Sequence, residues 1–152
     1  MLYPQDLPRE QFLPTYAASF STVELNFSYY RIPREEQLEG MLERGGPQLD
    51  FSIKAHESLT HKVDPFAWKD AVAAYRKSIR PLVRSGRLVA MLLQFPYSFH
   101  YDAERRKYLD SLLRELGGLP LVVEFRNAGW HTPRVLEALQ ERKVGFCATD
   151  MP

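Results

Sequence analysis

Residues 88–95 read LVAMLLQF, residues 103–117 read AERRKYLDSLLRELG, and residues 121–126 read LVVEFR. The first and third are short, near-continuous apolar runs, and the middle one repeats its apolar residues at helical spacing. Gly117-Gly118 ahead of Pro120 stops the helix before the second run begins. A strand, a helix and another strand in this order make a crossover between parallel strands, and near-continuous apolar strands are those buried on both faces of a parallel sheet.

Outward from this unit the same alternation continues. Further strands are expected at 22–26 (TVELN), 50–56 (DFSIKAH) and 145–150 (GFCATD), with helices at 34–45, 66–86 and 133–143 and a shorter helix at 8–19 bent at Pro14. Asp64-Pro65 and Thr132-Pro133 read as N-caps followed by a proline in the first turn, and Pro81 should split the long helix at 66–86. The fold class is therefore α/β, with helices covering about five parallel strands. A closed barrel of eight strands typically takes ~250 residues, so within 152 residues a TIM-like arrangement would be partial. The competing open, doubly wound sheet is disfavoured as a nucleotide site, because the first strand-to-helix turn, Asn26 to Arg31, carries no glycine-rich phosphate loop.

Composition narrows the partners. Twenty Lys and Arg against nineteen Asp and Glu leave a net charge of +1, so no global field attracts nucleic acid or an anionic membrane. No apolar stretch approaches the ~18–20 residues of a membrane span. Cys147 is the single cysteine, so no internal disulfide forms, and residues 1–25 lack the basic start and apolar run of a secretory signal. A reducing, cytoplasmic setting is expected.

The polar residues of the strands carry the functional expectation. With a period of two, Glu24 and Asn26 lie opposite Val23 and Leu25, while Lys54 and His56 lie opposite Phe51, Ile53 and Ala55. Gln94 falls in phase with Leu92, Glu124 and Arg126 with Val122, and Asp150 with Ala148. All sit toward the carboxyl ends, where α/β folds place their sites, and unpaired charge is too costly to bury there without a partner or ligand. Glu24, Lys54, Glu124 and Asp150 form the catalytic expectation: the glutamates as general bases, and Lys54 as proton-transfer group or electrostatic stabiliser within ion-pair range of Glu24 or Glu124. Arg126 suits a substrate carboxylate or phosphate, and Asn26 and Gln94 can position a hydroxyl or carbonyl. Tyr30, Arg31 and Trp130 complete the substrate-contacting set, in loops where Tyr29, Phe95, Tyr97 and Phe99 also crowd, either as packing or as a stacking wall for a sugar ring or nucleobase.

The four histidines show no spacing such as H-E-x-x-H and only His56 is in phase, so no metal site is expected. His61 and His100 read as surface or capping residues, Cys147 as a small buried hydrophobe, and the basic stripe Arg76, Arg80 and Arg84 as a solvated helix face.

The block Glu24-Leu25-Asn26-Phe27-Ser28-Tyr29-Tyr30-Arg31-Ile32-Pro33, followed by Phe51-Ser52-Ile53-Lys54, Leu59-Thr60-His61, Leu93-Gln94-Phe95-Pro96 and Val123-Glu124-Phe125-Arg126 ahead of Trp130, resembles the domain of unknown function 72 family. The resemblance runs along essentially the whole chain. It implies a TIM-like β/α barrel without an established activity, in which this chain lacks the family's first strand, with its Gly-x-Ser-Gly-Trp-like segment, and the strands after the position of Asp150. Asn127-Ala128-Gly129 departs from a segment that in the family often carries His and Ser. Two functions follow. One is an acid–base enzyme acting on a small polar or anionic metabolite, a sugar or nucleotide fragment. The other is a non-catalytic ligand- or nucleic-acid-binding module in which the charges are structural. Of the partners, a small-molecule ligand is expected and nucleic acid is not; the residues specify neither a cofactor nor an oligomeric state.

Overall fold

The computed structural model describes residues 3–149. Five strands form one sheet in the order β1 (Thr22–Leu25), β2 (Asp50–Lys54), β3 (Leu88–Phe95), β4 (Leu121–Phe125) and β5 (Gly145–Cys147), every adjacent pair parallel. Helices α2 (Glu35–Gly45), α3 (Trp68–Ser78), α4 (Arg80–Arg84), α5 (Ala103–Glu115) and α6 (Pro133–Glu141) fill the crossovers, and α1 (Phe12–Ala17) precedes β1. Sequential order with helices on one side is the arc of a β/α barrel, as the alternation implied.

Local chemistry explains where the elements start and stop. Thr132 caps α6 by accepting the Val135 N–H, with Pro133 in the first turn as expected. Asp64-Pro65 behaves differently: the Asp64 carboxylate takes the N–H of Phe66, 2.8 Å away, and holds a turn, so α3 begins only at Trp68. Pro81 divides the long helix as expected, at Ile79. Pro14 interrupts no hydrogen bond of α1. It lies in the first turn of α1, where its missing N–H costs no hydrogen bond, and the segment before it, Arg9–Gln11, is a 3₁₀ turn. Gly118, at φ 83°, supplies the left-handed residue that lets the chain leave α5 and enter β4.

The core lies between the sheet's outer face and the helices. Phe51, Ile53, Leu93 and Val123 point outward and are fully buried, against Leu38, Tyr75, Ile79, Leu82 and Leu112. Each such side chain contributes roughly 1.5–3 kcal/mol by leaving water. The inner face has the opposite character. Register pairs Glu24 with Ser52, Lys54 with Leu92, Gln94 with Glu124, and Glu124 with Cys147, and since alternate residues share a face, these side chains line one surface. A register shift between Phe51 and Ser52 displaces β2 against β3, so Lys54 sits beside Leu92, one inward position short of Gln94.

Candidate functional site

On the inner face a chain of polar contacts crosses three strands. The Lys54 ammonium donates to Oε1 of Gln94 at 2.7 Å, and the Gln94 amide nitrogen donates to Oε1 of Glu124 at 2.7 Å. Nε of Arg126, one residue past β4, forms an ion pair with the same oxygen at 2.6 Å. Glu124 is only 5% exposed, so its charge is taken from water and held by these partners. The amide orientation of Gln94 is dictated by its neighbours: oxygen toward the cation, nitrogen toward the carboxylate.

The expected direct ion pair between Lys54 and Glu24 or Glu124 is not formed among the described residues; Gln94 spans the gap instead. The strand order accounts for the bridge to Glu124: β3 lies between β2 and β4, and Gln94, in register with Glu124, is the inward side chain between them. The backbone of Lys54 is anchored from two sides. Its carbonyl accepts from the Tyr75 hydroxyl of α3 at 2.8 Å and lies 2.6 Å from the Ser28 hydroxyl, which is also 2.7 Å from the Leu25 carbonyl. Ser28 has a single proton and donates to one of the two at a time.

Three residues assigned no site role by the sequence lie beside this chain. The Lys54 ammonium stands 4.7 Å from the ring centre of Tyr29, a cation–π contact, and Tyr29 meets His61 edge-on at 4.9 Å. His61, expected as a surface or capping residue, is half-buried, and its Nδ1 is 2.9 Å from the Thr60 hydroxyl. Burial, then the charge of Lys54, lowers its pKa below the ordinary value and favours the neutral imidazole. Cys147 faces inward opposite Glu124 and is half-buried, not a packed hydrophobe. Burial, then the Glu124 carboxylate, pushes its thiol pKa up, and the charge of Glu24 adds to this.

Other expected site residues are placed apart from the chain. Glu24 is on the inner face but exposed. Asn26 opens the 3₁₀ turn Phe27–Tyr29 without a side-chain cap, and Arg31 is exposed after it. Tyr30 is 77% exposed, touching the edge of Tyr29. Trp130 is 1% exposed on the core side, stacked 4.6 Å from Phe125 and 5.1 Å from Phe99, with its indole N–H donating to the Phe99 carbonyl. That is a packing position, fixed by the turn Ala128–Trp130, which the Asn127 side chain caps. His56 turns its Nδ1 back onto the Ser58 N–H. In β5 the inward positions are Gly145 and Cys147, so Ala148, beyond the strand, does not hold the phase expected of it; Asp150 lies outside the described residues. Among the described residues no three His, Cys, Asp or Glu side chains gather as a metal-ligating group. Among the described residues no helix is long and apolar enough to cross a membrane.

A match to the family described as "Protein of unknown function DUF72" spans residues 1–152. UPF0759 protein YunF of Bacillus subtilis (strain 168) is 30% identical over 140 residues, covering 90% of this chain and 50% of the relative, so the chain spans about half the length of that curated protein. The crystal structure of a DUF72 family protein from Thermotoga maritima superposes with a TM-score of 0.80 at 34% identity, covering 96% of this chain and 57% of that one. One from Enterococcus faecalis V583 gives 0.80 at 24% identity over 90% of this chain and 57% of that one, a likeness of fold.

Proposed function

The chain belongs to the DUF72 family, and we propose that the inner end of its sheet binds a small polar or anionic metabolite, a sugar or nucleotide fragment, and acts on it by acid–base chemistry. The observation that carries this reading is the unbroken chain Lys54–Gln94–Glu124–Arg126 on the inner face. Barrel interiors are normally filled by branched apolar side chains, and stability alone does not call for charges there. Glu124 is the general base: a proton it takes from a substrate leaves negative charge behind, and Arg126, against the carboxylate, and Lys54, across Gln94, are the cations near enough to hold that charge. Lys54 uses one of its three N–H donors on Gln94, which holds the ammonium in place without neutralising it. Glu24 and Cys147 complete the rim on β1 and β5.

A second reading, a binding module whose charges are structural, is favoured by one feature: Gln94 is satisfied at both ends by protein groups. Native mass spectrometry with metal analysis of the purified protein identifies a co-purified ligand, and Glu124→Gln then separates the readings. The enzymatic reading expects turnover of that ligand to vanish while the melting temperature stays nearly constant. Lowered melting with ligand retention intact would establish the structural reading and sink the catalytic one.

A further inference from the structure

Between the segment after β2 and the first half of α5 lies a groove of about 600 Å³, within the size range of small-molecule sites. It adjoins the polar chain through one residue. His61 lines the groove and also meets Tyr29 edge-on, and Tyr29 carries the Lys54 ammonium over its ring. The Lys54 ammonium and the groove therefore lie on either side of the Tyr29–His61 pair, two ring contacts apart.

The lining specifies what the remote part of that ligand would be. Trp68 and Tyr108 form a wall, packed edge-to-face at 5.3 Å, and the Tyr108 hydroxyl donates to the Leu59 carbonyl at 2.8 Å, so the wall is held in place before any ligand arrives. The hydroxyls of Ser98 and Ser111 have no hydrogen-bond partner among the described residues. Glu104 and Lys107, exposed on α5, form no ion pair among the described residues and offer acceptor and donors side by side. Arg105 also lines the groove but is paired with Asp102, so a phosphate would find Lys107 with the Glu104 carboxylate beside it, whereas anion sites collect unengaged cations. A ring presenting apolar C–H groups on one side and several hydroxyls on its edge matches all three features, because each hydroxyl both donates and accepts.

We propose that this groove is a subsite for a sugar residue, so that the ligand is at least a disaccharide with its acidic or polar head at the Lys54–Arg126 chain. The proposal rests on the reading of the strand-end site given above. It is tested by isothermal titration of the full chain with galacturonate and with galacturonosyl-rhamnose, whose second residue is a neutral sugar. The disaccharide is expected to bind at least tenfold more tightly. Ser111→Trp, which fills the groove, should erase that advantage and leave galacturonate binding unchanged. Because the tryptophan can disturb α5, Glu104→Ala combined with Lys107→Ala, both exposed, serves as a second variant and should reduce the advantage at least threefold. Equal binding of the two sugars, equal losses for both in either folded variant, or no binding of the disaccharide overturns the subsite. Lys54→Met reports separately on the strand-end reading: it should weaken both sugars, and a disaccharide advantage that survives Lys54→Met with galacturonate affinity unchanged would sink that reading while leaving the groove as a sugar site.

Discussion

Gln94→Leu removes the one side chain that touches both Lys54 and Glu124. Hydrogen bonds to charged groups contribute about 1.5–3 kcal/mol each, so the two together set an upper bound of about 3–6 kcal/mol. Most of that is offset. Lys54 is half-buried, so water can take up its freed donor, and Glu124 keeps its ion pair with Arg126 at 2.6 Å. What water does not restore is the second partner of the Glu124 carboxylate, 5% exposed, and that leaves a net loss of about 2 kcal/mol. In a domain of this size each kcal/mol lowers the melting temperature by about 2–4 °C, so the variant should melt about 4–8 °C below the parent. Thermal denaturation followed by circular dichroism at neutral pH reads this directly. A double-mutant cycle with Lys54→Met should return a coupling of about 1 kcal/mol between positions 54 and 94. If Gln94→Leu melts within about 1 °C of the parent, or above it, the polar chain does not hold Glu124 in place and the reasoning fails.

Tyr75→Phe deletes a buried donor to the Lys54 carbonyl and should cost about 1 kcal/mol in chemical denaturation; no loss would show that Ser28 alone anchors that carbonyl. His61, held neutral by burial and Lys54 against the opposing charge of Glu57, has a folded pKa below its ordinary 6.5. The unfolded chain therefore binds the proton first, and the contribution of His61 is fully present above pH 6.5 and is lost as the pH falls through the lowered value. His61→Gln should flatten that part of the stability profile, and an NMR titration midpoint above 6.5 would contradict the assignment. Cys147, with its thiol pKa raised by burial and by Glu124, should react with iodoacetamide more slowly than a free cysteine, and Glu124→Gln should speed the reaction; an unchanged rate removes the carboxylate from the thiol's surroundings.

The strand order and the inward phase of Glu24, Lys54, Gln94 and Glu124 were legible because both follow from periods in the chain: apolar alternation sets the face, and the crossover helices force parallel neighbours. Which inward residues touch was not legible. A period of two says nothing about register across strands, and it is Gln94 on the adjacent β3, in register with Glu124 beyond it, that Lys54 meets. Cys147 was missed because the expected strand ran to residue 150, which put the count of inward positions out of step with the actual end at Cys147. Trp130 and Tyr29 are both loop aromatics in the sequence, yet one stacks in the core and the other lies under an ammonium; only the path of the turns that carry them separates the two. His61 next to Tyr29 is likewise a contact between two strand-end loops, and no local pattern encodes it.

The two faces of the sheet carry separate burdens, and this is what allows polar chemistry inside the arc. Apolar burial is concentrated on the outer face, where Phe51, Ile53, Leu93 and Val123 are fully covered by helices, so the inner face can hold Lys54, Gln94 and Glu124 without removing a core side chain. The faces are nonetheless connected at Lys54. Tyr75 is fully buried among the helices, yet its hydroxyl reaches through to the Lys54 carbonyl, and Ser28, also fully buried, ties the same carbonyl to the turn that carries Tyr29. Packing of α3 therefore sets the position of the ammonium relative to both Tyr29 and Gln94. A change in the core beneath β2 would move the site's charge without touching any site residue, whereas a change on the inner face such as Gln94→Leu costs stability without displacing a core side chain.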